Sequence, residues 1–181
     1  MKRTKEMCIC ALITALMCAG AFIKIPTPLP ITLQTFFTCL AGLLLGGKKG
    51  SVSVAVYILI GLTGLPVFAE GGGIHYILKP SFGYIIGFLP GTFITGKFAE
   101  SGISFKKFLS ASLAGMVAIY IAGITYYFLI SEFYLHNEIG IKWLLTYGFL
   151  MTLPGDIIMC ALASSLGLKL RKILKIQQNA T

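Results

Sequence analysis

Six stretches of apolar residues, each bounded by charge, proline or glycine, divide this chain, and their lengths predict six membrane-spanning helices. The first is uncharged from Met7 to Ile23 and ends at Lys24. The segment Pro26-Thr27-Pro28-Leu29-Pro30 follows, which no helix can continue. The second apolar stretch stops at the basic turn Gly46-Gly47-Lys48-Lys49-Gly50, and the third at Pro66. Ala69-Glu70-Gly71-Gly72-Gly73 then forms a link too glycine-rich for a helix. The fourth stretch starts at Pro80 and carries Pro90 as a candidate kink. The fifth precedes a polar loop from Glu132 to Lys142, and the sixth contains the breaker Pro154-Gly155 ahead of Asp156. The predicted helices cover about residues 7–25, 31–47, 51–66, 80–96, 108–131 and 143–168 of a single transmembrane domain, 1–181, an all-α bundle. The first stretch has no small-residue cleavage site after it and reads as a retained helix.

Composition supports lipid as the solvent. Only 12% of the 181 residues are charged and 56% are hydrophobic, with mean hydropathy +0.87. Soluble domains carry about 25% charged residues. At about 20 residues per span, this length is used up by six helices and their loops. The net charge of +9 does not point to nucleic acid, because the basic residues lie between apolar runs and form no single patch. Their distribution instead orients the chain. With the N-terminus in the cytoplasm, 12 of the 15 basic residues fall inside, and only Lys24, Lys79 and Lys142 fall outside. The positive-inside rule therefore predicts that both termini are cytoplasmic, in a multi-pass protein of the cell membrane.

Few residues remain for chemistry. Gly42-Leu-Leu-Leu-Gly46-Gly47-Lys48-Lys49 approaches a phosphate loop, but Lys49 replaces the hydroxyl residue that would ligate magnesium. An ATPase, if one is needed, must be another chain. The five cysteines form no C-x-x-C pair and read as apolar filler. His75 and His136 are isolated, and no metal site, catalytic constellation or cofactor is expected. Asp156 is the most informative side chain. A carboxylate about ten residues into an apolar span costs about 2.5–3.5 kcal/mol unless it is paired or faces a cavity. It reads as a ligand contact, or else as an internal ion pair or helix cap. Lys79, just before Pro80, suits either anion capture or snorkelling to the interface. Gln34 offers a donor and an acceptor to a ligand or to a neighbouring helix, and Tyr84 is a ligand contact or a packing aromatic. Ala11, Ala15 and Ala19 recur every four residues, a stripe that lets another helix approach closely, and Ala114, Ala118 and Ala122 repeat it in the fifth stretch.

Longer motifs carry a family resemblance. Pro30-Ile-Thr-Leu-Gln34-Thr, Ala41-Gly42-Leu-Leu-Leu-Gly46, Gly61-Leu-Thr-Gly64-Leu-Pro66-Val-Phe68-Ala69, the glycines Gly71 to Gly73, Lys79-Pro-Ser-Phe-Gly83-Tyr84-Ile-Ile-Gly87-Phe88 and Leu153-Pro154-Gly155-Asp156 together resemble the BioY family. The resemblance runs in order over about residues 7 to 170. It implies the substrate-capture subunit (S component) of an energy-coupling factor transporter, with biotin as ligand. It also implies as partners a transmembrane coupling protein and two ATPases, with the Ala11, Ala15 and Ala19 stripe as the docking surface. One departure stands out. Many members place a lysine three residues after the aspartate, where this chain has Met159, which leaves Lys79 as the candidate cation. The chemistry of biotin suits the candidates: Asp156 and Gln34 for its urea, Tyr84 for its ring, Lys79 for its carboxylate. A related subunit for thiamin or riboflavin is the alternative within the class; an intramembrane enzyme or a structural membrane protein is the alternative outside it. A stand-alone channel would need a polar stripe along several spans, and the sequence has none.

Overall fold

The structure, a computed structural model, describes residues 2–25, 31–135 and 141–174. The proline-rich segment from Pro26 to Pro30, His136, Glu138 and the basic tail from Lys175 lie outside the described residues. The chain is mostly helical. Helix α1 (Lys2–Gly20) leads into a short antiparallel pair, β1 (Lys24–Ile25) and β2 (Ile31–Thr32). Helix α2 (Gln34–Leu62), a 3-10 turn (Ile74–Leu78), α3 (Phe82–Ala99) and α4 (Phe105–Phe133) follow. The last segment comprises α5 (Ile141–Leu145), a π turn (Thr146–Leu150) and α6 (Leu153–Leu174). By length and composition, three helical segments, Gln34–Leu62, Phe105–Phe133 and Lys142–Ile173, reach the size of a membrane span, the first of them broken at Gly46.

The predicted second and third spans are the two helical arms of α2, separated by a non-helical break at Gly46. At Gly46 the backbone takes φ 76° and ψ 176°, a left-handed conformation that favours glycine. A Cβ added to Gly50 would lie 2.9 Å from the Ala41 carbonyl oxygen. In an unbroken helix those two residues would be about 13 Å apart, so the two arms run side by side. The first arm is buried almost throughout, from Gln34 to Gly47 with Phe36 and Phe37 half-buried. It is only about 18 Å long against a hydrocarbon core of about 30 Å. Such a short central arm is tolerable because protein rather than lipid surrounds it.

Small residues bring the neighbours close. Helix α3 packs between α2 and α4. Gly83, Gly87 and Gly91 recur every four residues on its α4 side, and a Cβ at any of them would come within 3 Å of α4 atoms. On the other side, Gly42 and Gly47 of α2 abut the backbone of α3 at Thr92 and Phe93. These contacts join backbone to backbone, the arrangement expected where helices associate by dispersion rather than by excluding water. Helix α3 continues through Pro90.

The sixth predicted span is divided earlier than its proline suggests. The interruption is the π turn at Thr146–Leu150, and Pro154, Gly155 and Asp156 form the first turn of α6. Proline is favoured at a helix start, where its missing N–H leaves no bond unmade, and a carboxylate there complements the helix dipole. The bundle therefore has two chemically different ends. One carries Lys48, Lys49, Lys97, Lys106, Lys107 and Arg171, with Lys49 paired to Glu6 at 2.7 Å and Arg171 donating to the Ala99 carbonyl at 3.2 Å. The other, where α2, α3 and α6 begin, carries the loops and the cavity.

Candidate functional site

The cavity is closed by residues from nearly every element that meets this end. The two strands contribute Ile31 and Thr32, α2 contributes Gln34 and Thr35, and the loops contribute Ala69, Tyr76 and Ser81. Helix α3 supplies Tyr84, Ile85 and Phe88; α4 supplies Met116, Ile119 and Tyr120; the start of the last segment supplies Thr152 and Asp156. The walls are mainly apolar and aromatic, and a few polar groups converge on the interior. This is the composition of a small-molecule site.

Asp156 is the acid of the cavity floor. The Tyr120 hydroxyl donates to its Oδ2 at 2.6 Å, and the Thr35 hydroxyl also bonds to the carboxylate. Tyr120 lies 2.9 Å from the Thr152 hydroxyl, so one phenol ties α4 to the first turn of α6. A carboxylate has about four lone-pair positions, more than these two hydroxyls can fill, and it can accept further donors from a ligand. Among the described residues no lysine or arginine pairs with Asp156. Met159, three residues on, is not part of the cavity wall.

Gln34 is oriented by its neighbours. Its amide nitrogen donates to the Tyr57 hydroxyl, and its amide oxygen accepts from the Thr32 hydroxyl at 3.0 Å. Tyr57 in turn donates to the Val67 carbonyl at 3.1 Å. This chain fixes which face of the amide meets the cavity. Tyr84 gives its hydroxyl to the Gly148 carbonyl of the π turn at 3.0 Å and meets Tyr120 edge-on at 6.2 Å between ring centres. With its hydroxyl engaged there, Tyr84 lines the cavity chiefly as an aromatic ring. The Gly148 carbonyl also accepts from the Thr152 hydroxyl at 3.3 Å.

Lys79 is the one predicted ligand residue outside the cavity wall. It is half-exposed at the rim, 4.9 Å from the centre of the Tyr76 ring, which is itself buried in the wall. Its ammonium donates to the Glu70 carbonyl at 3.1 Å and lies 3.7 Å from the Glu70 carboxylate. Burial pushes the Tyr76 hydroxyl above its ordinary value, which keeps it a neutral donor. Lys24 of β1 donates to the neighbouring carbonyl, that of Ala69, and binds the strand pair to the same turn. His75 sits exposed in the 3-10 turn, and no metal-ligating cluster exists among the described residues.

Sequence reasoning named Gln34, Tyr84 and Asp156, which the structure brings to one cavity, but missed Tyr120, Thr152 and Thr35. A signal for Tyr120 was present. Met116, Ile119 and Tyr120 fall on one helical face, and a phenol in the middle of an apolar span requires a polar partner. Away from the site, Ala11, Ala15 and Ala19 are all exposed, on the face of α1 opposite Ile13, Thr14 and Met17. The near-phosphate loop is a packing element: its glycines lie against α3 and its Lys49 binds Glu6.

Comparison with known proteins agrees with this architecture. The family model described as the BioY family matches residues 1–176. A probable biotin transporter BioY of Lysinibacillus sphaericus is 38% identical over 175 residues, covering 95% of this chain and 89% of that protein. The biotin transporter BioY of Thermotoga maritima is 39% identical over 162 residues, covering 88% of this chain and 92% of that protein. The crystal structure of an S-component for biotin from an ECF-type ABC transporter superposes with a TM-score of 0.82 at 30% identity, covering 94% of this chain and 93% of that one.

Proposed function

The chain belongs to the BioY family, and from that premise we propose that it captures biotin as the S component of an energy-coupling factor transporter. It is a transport subunit and not an enzyme. The observation that carries the reading is a cavity with apolar and aromatic walls in which a single carboxylate, Asp156, is presented by hydroxyl groups alone. Biotin needs such a site. Its urea carries two N–H donors for Asp156 and a carbonyl for a donor such as the Gln34 amide. Its thioether ring suits Tyr84 and Phe88, and its carboxylate, on a flexible chain, reaches Lys79 at the rim.

In this reading the chain crosses the cell membrane six times, with the two arms of α2 counted separately, the cavity facing outward and both termini in the cytoplasm. The asymmetry of basic residues supports that orientation. A cysteine at Lys106, on a cysteine-free background, then escapes an impermeant maleimide in intact cells. Labelling there would invert the topology.

Transport against a gradient requires energy from elsewhere, so the partners are a transmembrane coupling protein and two ATPases. The exposed Ala11, Ala15 and Ala19 stripe is the docking face, because small side chains let a partner helix approach. The experiment separates binding from transport. Ala15→Trp abolishes biotin uptake in cells that contain the ATPase module, while the purified subunit keeps its affinity for biotin. Loss of both together would show that the stripe serves internal packing.

A further inference from the structure

We propose that the Glu70 carboxylate is a built-in competitor for the ligand's carboxylate: it engages Lys79 and yields it when an anionic ligand enters. The inference rests on the functional reading above and assigns a role to a residue outside it. Three observations carry it. The Lys79 ammonium lies 3.7 Å from the Glu70 carboxylate and donates to the carbonyl of the same residue at 3.1 Å, so Glu70 occupies this cation at two points. Ser81, part of the cavity wall, donates its hydroxyl to the Glu70 carboxylate at 3.2 Å, which puts that carboxylate at the mouth. The Lys79 ammonium also lies 4.9 Å from the centre of the Tyr76 ring, another wall residue, so the cation sits beside the cavity.

The pair is suited to exchange. Both side chains are close to half-exposed, at 44% and 42%. Ion pairs of that exposure are worth about 0.2–1 kcal/mol, little enough for an incoming carboxylate to displace. Glu70 also stands in a turn whose next residue, Gly71, takes φ 119°, and a Cβ on Gly71 would meet nothing within 4 Å. The Glu70 side chain is itself 42% exposed, so it has solvent to swing into. Exchange of one carboxylate for another keeps the Lys79 ammonium paired at each stage, and the released Glu70 carboxylate, already part-exposed, is left to solvent. An uncharged ligand gives no such exchange, and Glu70 keeps Lys79. Lys79 favours an anionic ligand, and Glu70 weakens that preference, so an anion is selected without being held tightly.

The test is calorimetric titration of the full chain, purified in detergent, with biotin and with uncharged biotin amide. The proteins compared are the unaltered chain, Glu70→Gln, Lys79→Met and the double variant. Glu70→Gln is expected to tighten biotin by about two- to threefold, in keeping with an exposed pair, and to leave the amide unchanged. In the Lys79→Met background, Glu70→Gln is expected to change nothing. Equal tightening with and without Lys79 would reveal simple repulsion between carboxylates and overturn the competition. Weaker biotin binding in Glu70→Gln would also overturn it, by showing that Glu70 positions Lys79. If the unaltered chain bound neither ligand, the functional reading itself would fall and this inference with it, a result distinct from the other two.

Discussion

At the floor of the cavity one carboxylate, Asp156, is held by the hydroxyls of Tyr120 and Thr35; at the rim a carboxylate and an ammonium, Glu70 and Lys79, face one another across 3.7 Å. The floor lies among apolar walls built from three helices, whereas the rim is half in solvent. A hydrogen bond to a charged group is worth about 1.5–3 kcal/mol, while an exposed ion pair is worth less than about 1 kcal/mol. On the proposed reading, placement decides which group dominates recognition: the floor would read a neutral hydrogen-bonding pattern and contribute most of the affinity, and the rim would read charge and contribute selectivity.

The difference can be tested from the stronger region to the weaker. At the floor, Asp156→Asn keeps the shape but removes the charge and replaces one acceptor by a donor. Affinity for biotin should fall about ten- to a hundredfold, the loss expected for one charged hydrogen bond. Biotin amide should lose as much, because it keeps the urea. At the rim, Lys79→Met should weaken biotin by about two- to fivefold and leave the amide unchanged. Equal losses for both ligands in Lys79→Met would make the lysine a structural anchor and erase the contrast between floor and rim. A larger loss from Lys79→Met than from Asp156→Asn would reverse it. The smallest effect belongs to Glu70, whose removal shifts only the competition for Lys79.

Much of the bundle was legible from apolar length and its interruptions. Gly46-Gly47 marked a reversal because a left-handed backbone needs glycine, and the reversal occurs there. Proline was harder to place. Pro154 read as a break inside a span, yet it opens α6, since the missing N–H of proline costs least at a helix start. The actual interruption, the π turn at Thr146–Leu150, leaves only a weak signal: Gly148 and its neighbours Thr146, Tyr147 and Phe149 are poor helix formers, but they lie inside a long apolar run. Asp156 stood out in the sequence because charge in an apolar span is costly. Its partners Tyr120, Thr35 and Thr152 did not, because hydroxyl residues occur throughout apolar helices and only the packing of α2, α4 and α6 brings these three together. Lys79 was legible as an outer cation, but its engagement by Glu70 depends on a turn between two glycine-rich links, whose path the sequence leaves open.

Calorimetric titration of biotin into the purified, unaltered chain, with thiamin and riboflavin titrated in parallel, tests the central claim most directly. Saturable binding of biotin at one site per chain, with neither of the other vitamins competing, is the predicted result. Tight binding of thiamin, whose cation would suit Asp156 and be repelled by Lys79, with no heat from biotin, would contradict the assignment of the cavity.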